Sequence, residues 1–156
     1  MRTLKHIIIL VISFILLATI ECGAATTTDF VGLWRGTGTF VAAGETNSGT
    51  MTVRLSKDGS SLVGLVVYDC KFSITGPVQG GVFTFAIHPC DEDIGDPDCA
   101  NFDVSATATL DQSLKTMSIN ATGTFCGDGG GQPGTLSATL SKTTETTYFP
   151  LLLKDN

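Results

Sequence analysis

The sequence predicts an all-β protein, an eight-stranded antiparallel up-and-down barrel, and three observations predict it. Apolar residues recur at every second position in run after run, and Thr or Ser fills the alternate positions. Clusters of Gly, Asp and Pro break the chain between runs, and no stretch sustains a helical period. Successive side chains on a strand point to opposite faces, so this alternation describes half-buried strands with hydroxyls outward. Closing eight such strands removes the free edges. A β-sandwich is the alternative.

The strands follow in order. The first covers 30–41, the second 49–56, with Met51, Val53 and Leu55 inward, and the third 61–68. The fourth covers 71–76 and ends at a turn signal, Gly76-Pro77; the fifth, 81–88, turns Phe83, Phe85 and Ile87 inward. The sixth, 101–110, carries an inner stripe of Phe102, Val104, Ala106, Ala108 and Leu110. The seventh, 114–125, repeats it with Met117, Ile119, Ala121, Gly123 and Phe125. The eighth, 134–142, closes the series with Leu136, Ala138 and Leu140. Lys57-Asp58-Gly59-Ser60, Gly80-Gly81, Asp111-Gln112-Ser113 and the Gly-rich run 127–134 supply further turns.

Ahead of the strands, residues 1–25 have the layout of a signal peptide. A basic head (Arg2, Lys5) precedes an apolar run from Ile7 to Ile20, then small residues, with cleavage expected after Ala24 or Ala25. Fourteen apolar residues fall short of the ~20 that span a bilayer. Lipidation at Cys22 is disfavoured because Glu21 stands where a small residue is needed. The expected product is secreted or periplasmic, with a barrel domain over 26–142 and a linker and tail over 143–156. It keeps 7 basic and 14 acidic residues, net −7. An acidic chain without a basic run is a poor partner for nucleic acid.

Export also decides how the cysteines are read. Cys70, Cys90, Cys99 and Cys126 form an even set without the close paired spacing of a zinc site, so two disulfides are expected. If the first strand runs from barrel floor to mouth, all four cysteines fall on mouth-side connections. Neighbouring strand ends then favour Cys70–Cys90 with Cys99–Cys126. The rival pairing, Cys90–Cys99 with Cys70–Cys126, would stretch one bond across the mouth.

The first strand contains Gly32-Leu33-Trp34. A Gly-x-Trp here, followed by seven hairpin-linked strands over 30–142, resembles the calycin superfamily of lipocalins and avidins. The resemblance implies that Trp34 closes the barrel floor beneath a basic residue from near the last strand, a place only Lys142 can fill. Two features depart from the family: a second lipocalin signature is missing, and Trp34 is the sole Trp. The aromatic walls of an avidin site are therefore absent. Trp34 also reads as an ordinary core aromatic.

The rim of the barrel carries Asp91-Glu92-Asp93-Ile94-Gly95-Asp96-Pro97-Asp98, five carboxylates in eight residues. Asp91, Asp93, Asp96 and Asp98 are candidate oxygen ligands for Ca²⁺, with Asp128 facing them, although the EF-hand order fails at Gly95. The other reading is a solvated acidic loop. No other cofactor motif is present. His88, expected outward, has no partner for catalysis, and neither a GxSxG nor an HExxH pattern occurs. An enzyme is therefore not expected.

The function this sequence favours is binding of a small apolar or aromatic molecule in the barrel interior. Phe83, Phe85, Phe102, Met117 and Phe125 are the candidate contacts, with Gly32 and Trp34 structural. The alternative is a structural or adhesive surface protein, assembled through the acidic rim or the tail. In that tail, Thr143-Thr144-Glu145-Thr146-Thr147 links to an apolar run, Tyr148-Phe149-Pro150-Leu151-Leu152-Leu153. The run is too short to cross a membrane. It either packs on the protein's own barrel or docks on a protein partner.

Overall fold

A computed structural model describes residues 23–68, 70–90, 93–127 and 129–144. The expected leader up to residue 22, the tail beyond Thr144, and Asp91, Glu92 and Asp128 lie outside these residues. The strands are β1 (Gly32–Ala42), β2 (Glu45–Asp58), β3 (Ser61–Val67), β4 (Lys71–Gln79), β5 (Val82–Ile87), β6 (Asp103–Leu110), β7 (Thr116–Phe125) and β8 (Gln132–Lys142). Each pairs with the next, antiparallel, and β8 pairs back onto β1, which closes the barrel. The sandwich alternative is thereby excluded.

The alternation read from the sequence is the inside–outside pattern of the wall. Val53, Leu55, Leu62, Phe83, Ala106, Ala108, Met117, Ile119, Ala121 and Leu140 are buried in one continuous core. Their neighbours Thr84, Thr107, Thr109, Asn120, Ser137 and Thr139 are exposed. Among the described residues no polar or charged side chain is buried. Burial of apolar surface and the closed backbone ladder therefore hold the barrel together.

Several boundaries differ from the sequence reading. Phe30 belongs to a one-turn helix, α1 (Thr27–Phe30), which lies across the floor. The first mouth-side connection was expected over 42–48, but the β1–β2 ladder continues to Ala42↔Glu45. Ala43 (φ 51°) and Gly44 (φ 83°) make a two-residue turn there, whose left-handed backbone matches the twist of the paired strands. Gly76-Pro77 is not a turn. Both residues lie inside β4, where Gly76 pairs with Leu62 and Pro77 with Ser61. The reversal comes at Gly80-Gly81, because both glycines take positive φ without a Cβ penalty. Phe102 precedes β6 rather than opening it, its N–H donating to the Cys99 carbonyl.

One seam is weak. Among the described residues, the β4–β5 ladder is Val78↔Phe83 and Gln79↔Val82, at its floor end. Most other seams pair over six residues or more. Cys70, just before β4, is bonded to Cys90, just after β5, with Cα atoms 6.0 Å apart. That bond clasps the mouth end of the seam with the fewest ladder hydrogen bonds. Cys99–Cys126, with Cα atoms 4.2 Å apart, ties the β5–β6 loop to the end of β7. The pairing favoured from strand adjacency is the one present.

Candidate functional site

The two ends of the barrel are chemically different. At the floor, α1 is held by side chains reaching in from β1 and β8. Trp34 Nε1 donates to the Phe30 carbonyl at 2.8 Å, and both residues are fully buried. Lys142 Nζ donates to the Asp29 carbonyl at 2.8 Å and lies 5.1 Å from the centre of the Trp34 ring. This is the contact the Gly-x-Trp resemblance implied. Gly32, at φ 139°, leaves the room: a Cβ there would stand 3.0 Å from Lys142 Cε. Asp29 reaches back to accept from both the N–H and the hydroxyl of Thr26, each at 2.7 Å. Those hydrogen bonds, from the hydroxyl first and the N–H second, hold the Asp29 carboxyl below the usual aspartate value, with Lys142 adding to the shift.

Above the floor lies a packed layer. Phe83 meets Phe30 edge-on at 6.1 Å and stacks on Phe85 at 4.7 Å. Phe83 and Met117 have no exposed surface. Residual exposure in the core is largest on the mouth side, at Ile87 and Leu136 (7% each) and Ala138 (6%).

The mouth is aromatic. Phe125, at the end of β7, packs edge-on against Phe40 of β1 at 4.7 Å and against Phe102 at 6.0 Å. All three are only partly buried, as are Tyr68 and Phe72, and all pack on the core. Tyr68 lies over a gap left by two inward glycines. Gly38 and Gly49 face each other across β1 and β2, and a Cβ on either would stand 3.2 Å from the Tyr68 ring. The ring occupies the volume those side chains would fill, an aromatic over paired glycines. Its hydroxyl points toward the Gly38 and Asn47 carbonyls at 3.4 and 3.5 Å.

Of the five residues expected to line a ligand site, Phe102 and Phe125 stand together at this mouth. Phe85 lies one level below, and Phe83 and Met117 are sealed in the core. Phe40, Tyr68 and Phe72 were missed. Each continues an inward alternation already visible in the sequence, Phe40 with Trp34, Tyr68 with Leu62 and Val66, and Phe72 with Ile74.

The acidic rim loop borders the mouth. Asp96 Oδ1 accepts from the Asp98 N–H at 2.9 Å and caps a 3-10 turn, Pro97–Cys99. Two backbone hydrogen bonds, Gly127 N–H to the Asp98 carbonyl and Asn101 N–H to the Gly130 carbonyl, join it to the β7–β8 loop. Among the described residues, Asp93, Asp96 and Asp98 do not bring their oxygens together. The cluster that forms is Asp93 with Cys99 and Cys126, and both of those sulfurs are spent in a disulfide. His88 is exposed just beyond β5.

Among known proteins, no family model and no curated protein matches the sequence. Solved structures do match the fold. A protein of unknown function from the DUF3598 family of Nostoc punctiforme superposes with a TM-score of 0.52 at 11% identity, over 77% of this chain and 50% of that one. This chain thus corresponds to half of the Nostoc protein. The S-type phycobiliprotein lyase CPES from Guillardia theta superposes with a TM-score of 0.51 at 8% identity, over 80% of this chain and 96% of the lyase. Identities this low speak for the barrel architecture alone.

Proposed function

We propose that this protein is an exported, disulfide-stapled barrel that binds one small apolar or aromatic molecule at its mouth. The observation that carries the reading is the ring of partly buried aromatics, Phe40, Tyr68, Phe72, Phe102 and Phe125, at one end of a barrel whose other end is plugged by α1. Edge and face contacts from such side chains suit a flat apolar ligand, and among the described residues no polar side chain is buried inside to anchor a charged one. Phe102 and Phe125 contact the ligand, with Phe85 beneath them and the Phe83–Met117 layer as the bottom of the site. The Tyr68 hydroxyl supplies a polar handle at the rim. Acidic groups beside the mouth disfavour an anion. Two disulfides fit an extracellular or periplasmic compartment.

A phycobiliprotein lyase shares this barrel architecture. Native mass spectrometry on protein recovered from its own host tests the proposal. A discrete added mass that disappears on denaturation supports it, and replacing Phe125 by Ala should weaken retention about tenfold, equivalent to ~1.4 kcal/mol. A chain that carries nothing, and to which apolar aromatic probes do not bind, rejects it.

A further inference from the structure

Among the described residues the outer wall of the barrel is largely hydroxyl-rich; Val41 of β1 is a single exposed apolar side chain on it, and β3 alone carries a run of them. Over β6, β7 and β8 the outward residues are Thr, Ser and Asn, apart from Asp103 and Pro133 at the mouth ends of β6 and β8. On β3 they are Val63, Leu65 and Val67, and Leu65 is 38% exposed. In the same cross-strand row, Leu65 pairs with Arg54 of β2 and Arg54 with Leu33 of β1. The row therefore runs from apolar Leu65 over a cationic side chain to apolar Leu33.

The chain leaves the barrel beside this row. Thr143 donates to the Leu33 carbonyl through its N–H at 2.8 Å and its hydroxyl at 3.1 Å. From there to β3 is two strand spacings, about 10 Å. The linker residues 144–147, extended at roughly 3.4 Å each, reach about 14 Å. That length is enough for the apolar run 148–153 to reach the β3 strip, and the single charge of the linker, Glu145, is opposite in sign to Arg54 in the row between.

We infer that the C-terminal segment 144–153 folds back across β1 and β2 and covers the outer face of β3, with Tyr148, Phe149 and the leucines on Val63, Leu65 and Val67 and Glu145 beside Arg54. Three features converge on this occupant: the point of departure, the linker length, and the match of the apolar β3 strip to the apolar run in the tail. Docking removes Leu65 from water and makes the segment a strap on the barrel flank rather than a free adhesive peptide.

Limited chymotrypsin digestion of the full chain reads the docking, because cleavage after Tyr148 tracks the undocked fraction, the Phe149–Pro150 bond being resistant. Leu65→Glu should speed that cleavage about tenfold or more while the barrel keeps its thermal midpoint. Thr107→Glu, on the hydroxyl wall, should leave the rate unchanged. Arg54→Glu should raise it, and added salt should narrow its difference from the parent. Cleavage of the parent at the rate of the free tail peptide overturns the inference. So does protection that grows with protein concentration, since the strip is then covered by a second copy. Ligand retention at the mouth is a separate readout, so loss of the binding reading leaves this result standing, and the reverse.

Discussion

Trp34 is the best single probe of the barrel floor. It is the only Trp, it is fully buried, and its ring N–H satisfies the carbonyl that ends α1. Trp34→Phe keeps most of the packing but leaves the Phe30 carbonyl without that donor, which should destabilise the fold by about 1–3 kcal/mol in urea titration. Lys142→Met keeps an apolar stem over the ring and removes both the cation and the bond to the Asp29 carbonyl. A loss of about 1–2 kcal/mol is expected there. Two aspartates give the floor end an acid limit. Asp111 accepts from the Ser113 hydroxyl and from the N–H groups of Lys115 and Thr116, and these hold its carboxyl below the ordinary 3.8. Asp29 is lowered likewise. A carboxylate with a depressed folded pKa stabilises above its unfolded value and loses that contribution as pH falls through the folded one. The thermal midpoint should therefore be level above about pH 5 and fall below about pH 4. Asp111→Asn should flatten part of that acid-side fall.

The elements explain why two disulfides stand where they do. Among the described residues the β4–β5 ladder is the two pairs beside Gly80-Gly81, so their mouth ends are held by packing and by Cys70–Cys90. Reduction should cost about 2–4 kcal/mol per bond, seen as a lower denaturant midpoint with reductant than without. The order of opening is the sharper expectation. Amide exchange in reduced protein should rise first at 71–76 and 84–87, while β7 and β8, paired over ten residues, stay protected. Uniform exchange across all strands would contradict the weak-seam account. Gly123 marks a second element-level constraint. At φ 155°, its added Cβ would stand 2.8 Å from Val104 Cα, so β7 crosses β6 too closely for any side chain. Gly123→Ala should destabilise by about 1–3 kcal/mol in the same titration.

At the scale of the whole molecule, one end is sealed and the other is lined by partly exposed rings, and this polarity is what the binding proposal uses. Substitutions at the two ends should separate. Phe40→Ala and Phe125→Ala should lower ligand retention more than they lower the unfolding midpoint. Phe83→Ala, in the sealed layer, should cost about 3–5 kcal/mol and destabilise the barrel itself. Equal effects of both groups on stability and binding would mean that the mouth rings are simply upper core.

Much of this architecture was legible in the residues because it depends on local rules. Strand existence followed from side-chain alternation, which each segment carries by itself, as 104–110 and 117–121 illustrate. The disulfide pairing followed from adjacency once hairpin order was assumed, and Lys142 over Trp34 followed from a Gly-x-Trp on the first strand. The errors had local causes as well. Gly76-Pro77 carries turn chemistry, yet β4 absorbs it because Pro77 pairs with the end residue of β3 and Gly76 sits where the strands press together. What only the tertiary structure decided is the mouth. Phe40, Tyr68, Phe72, Phe102 and Phe125 come from five separate places in the chain, and they converge only when barrel closure and strand register set their heights. Alternation tells which face a residue takes. Its depth along the barrel axis depends on the stagger of all eight strands, a quantity no single segment contains.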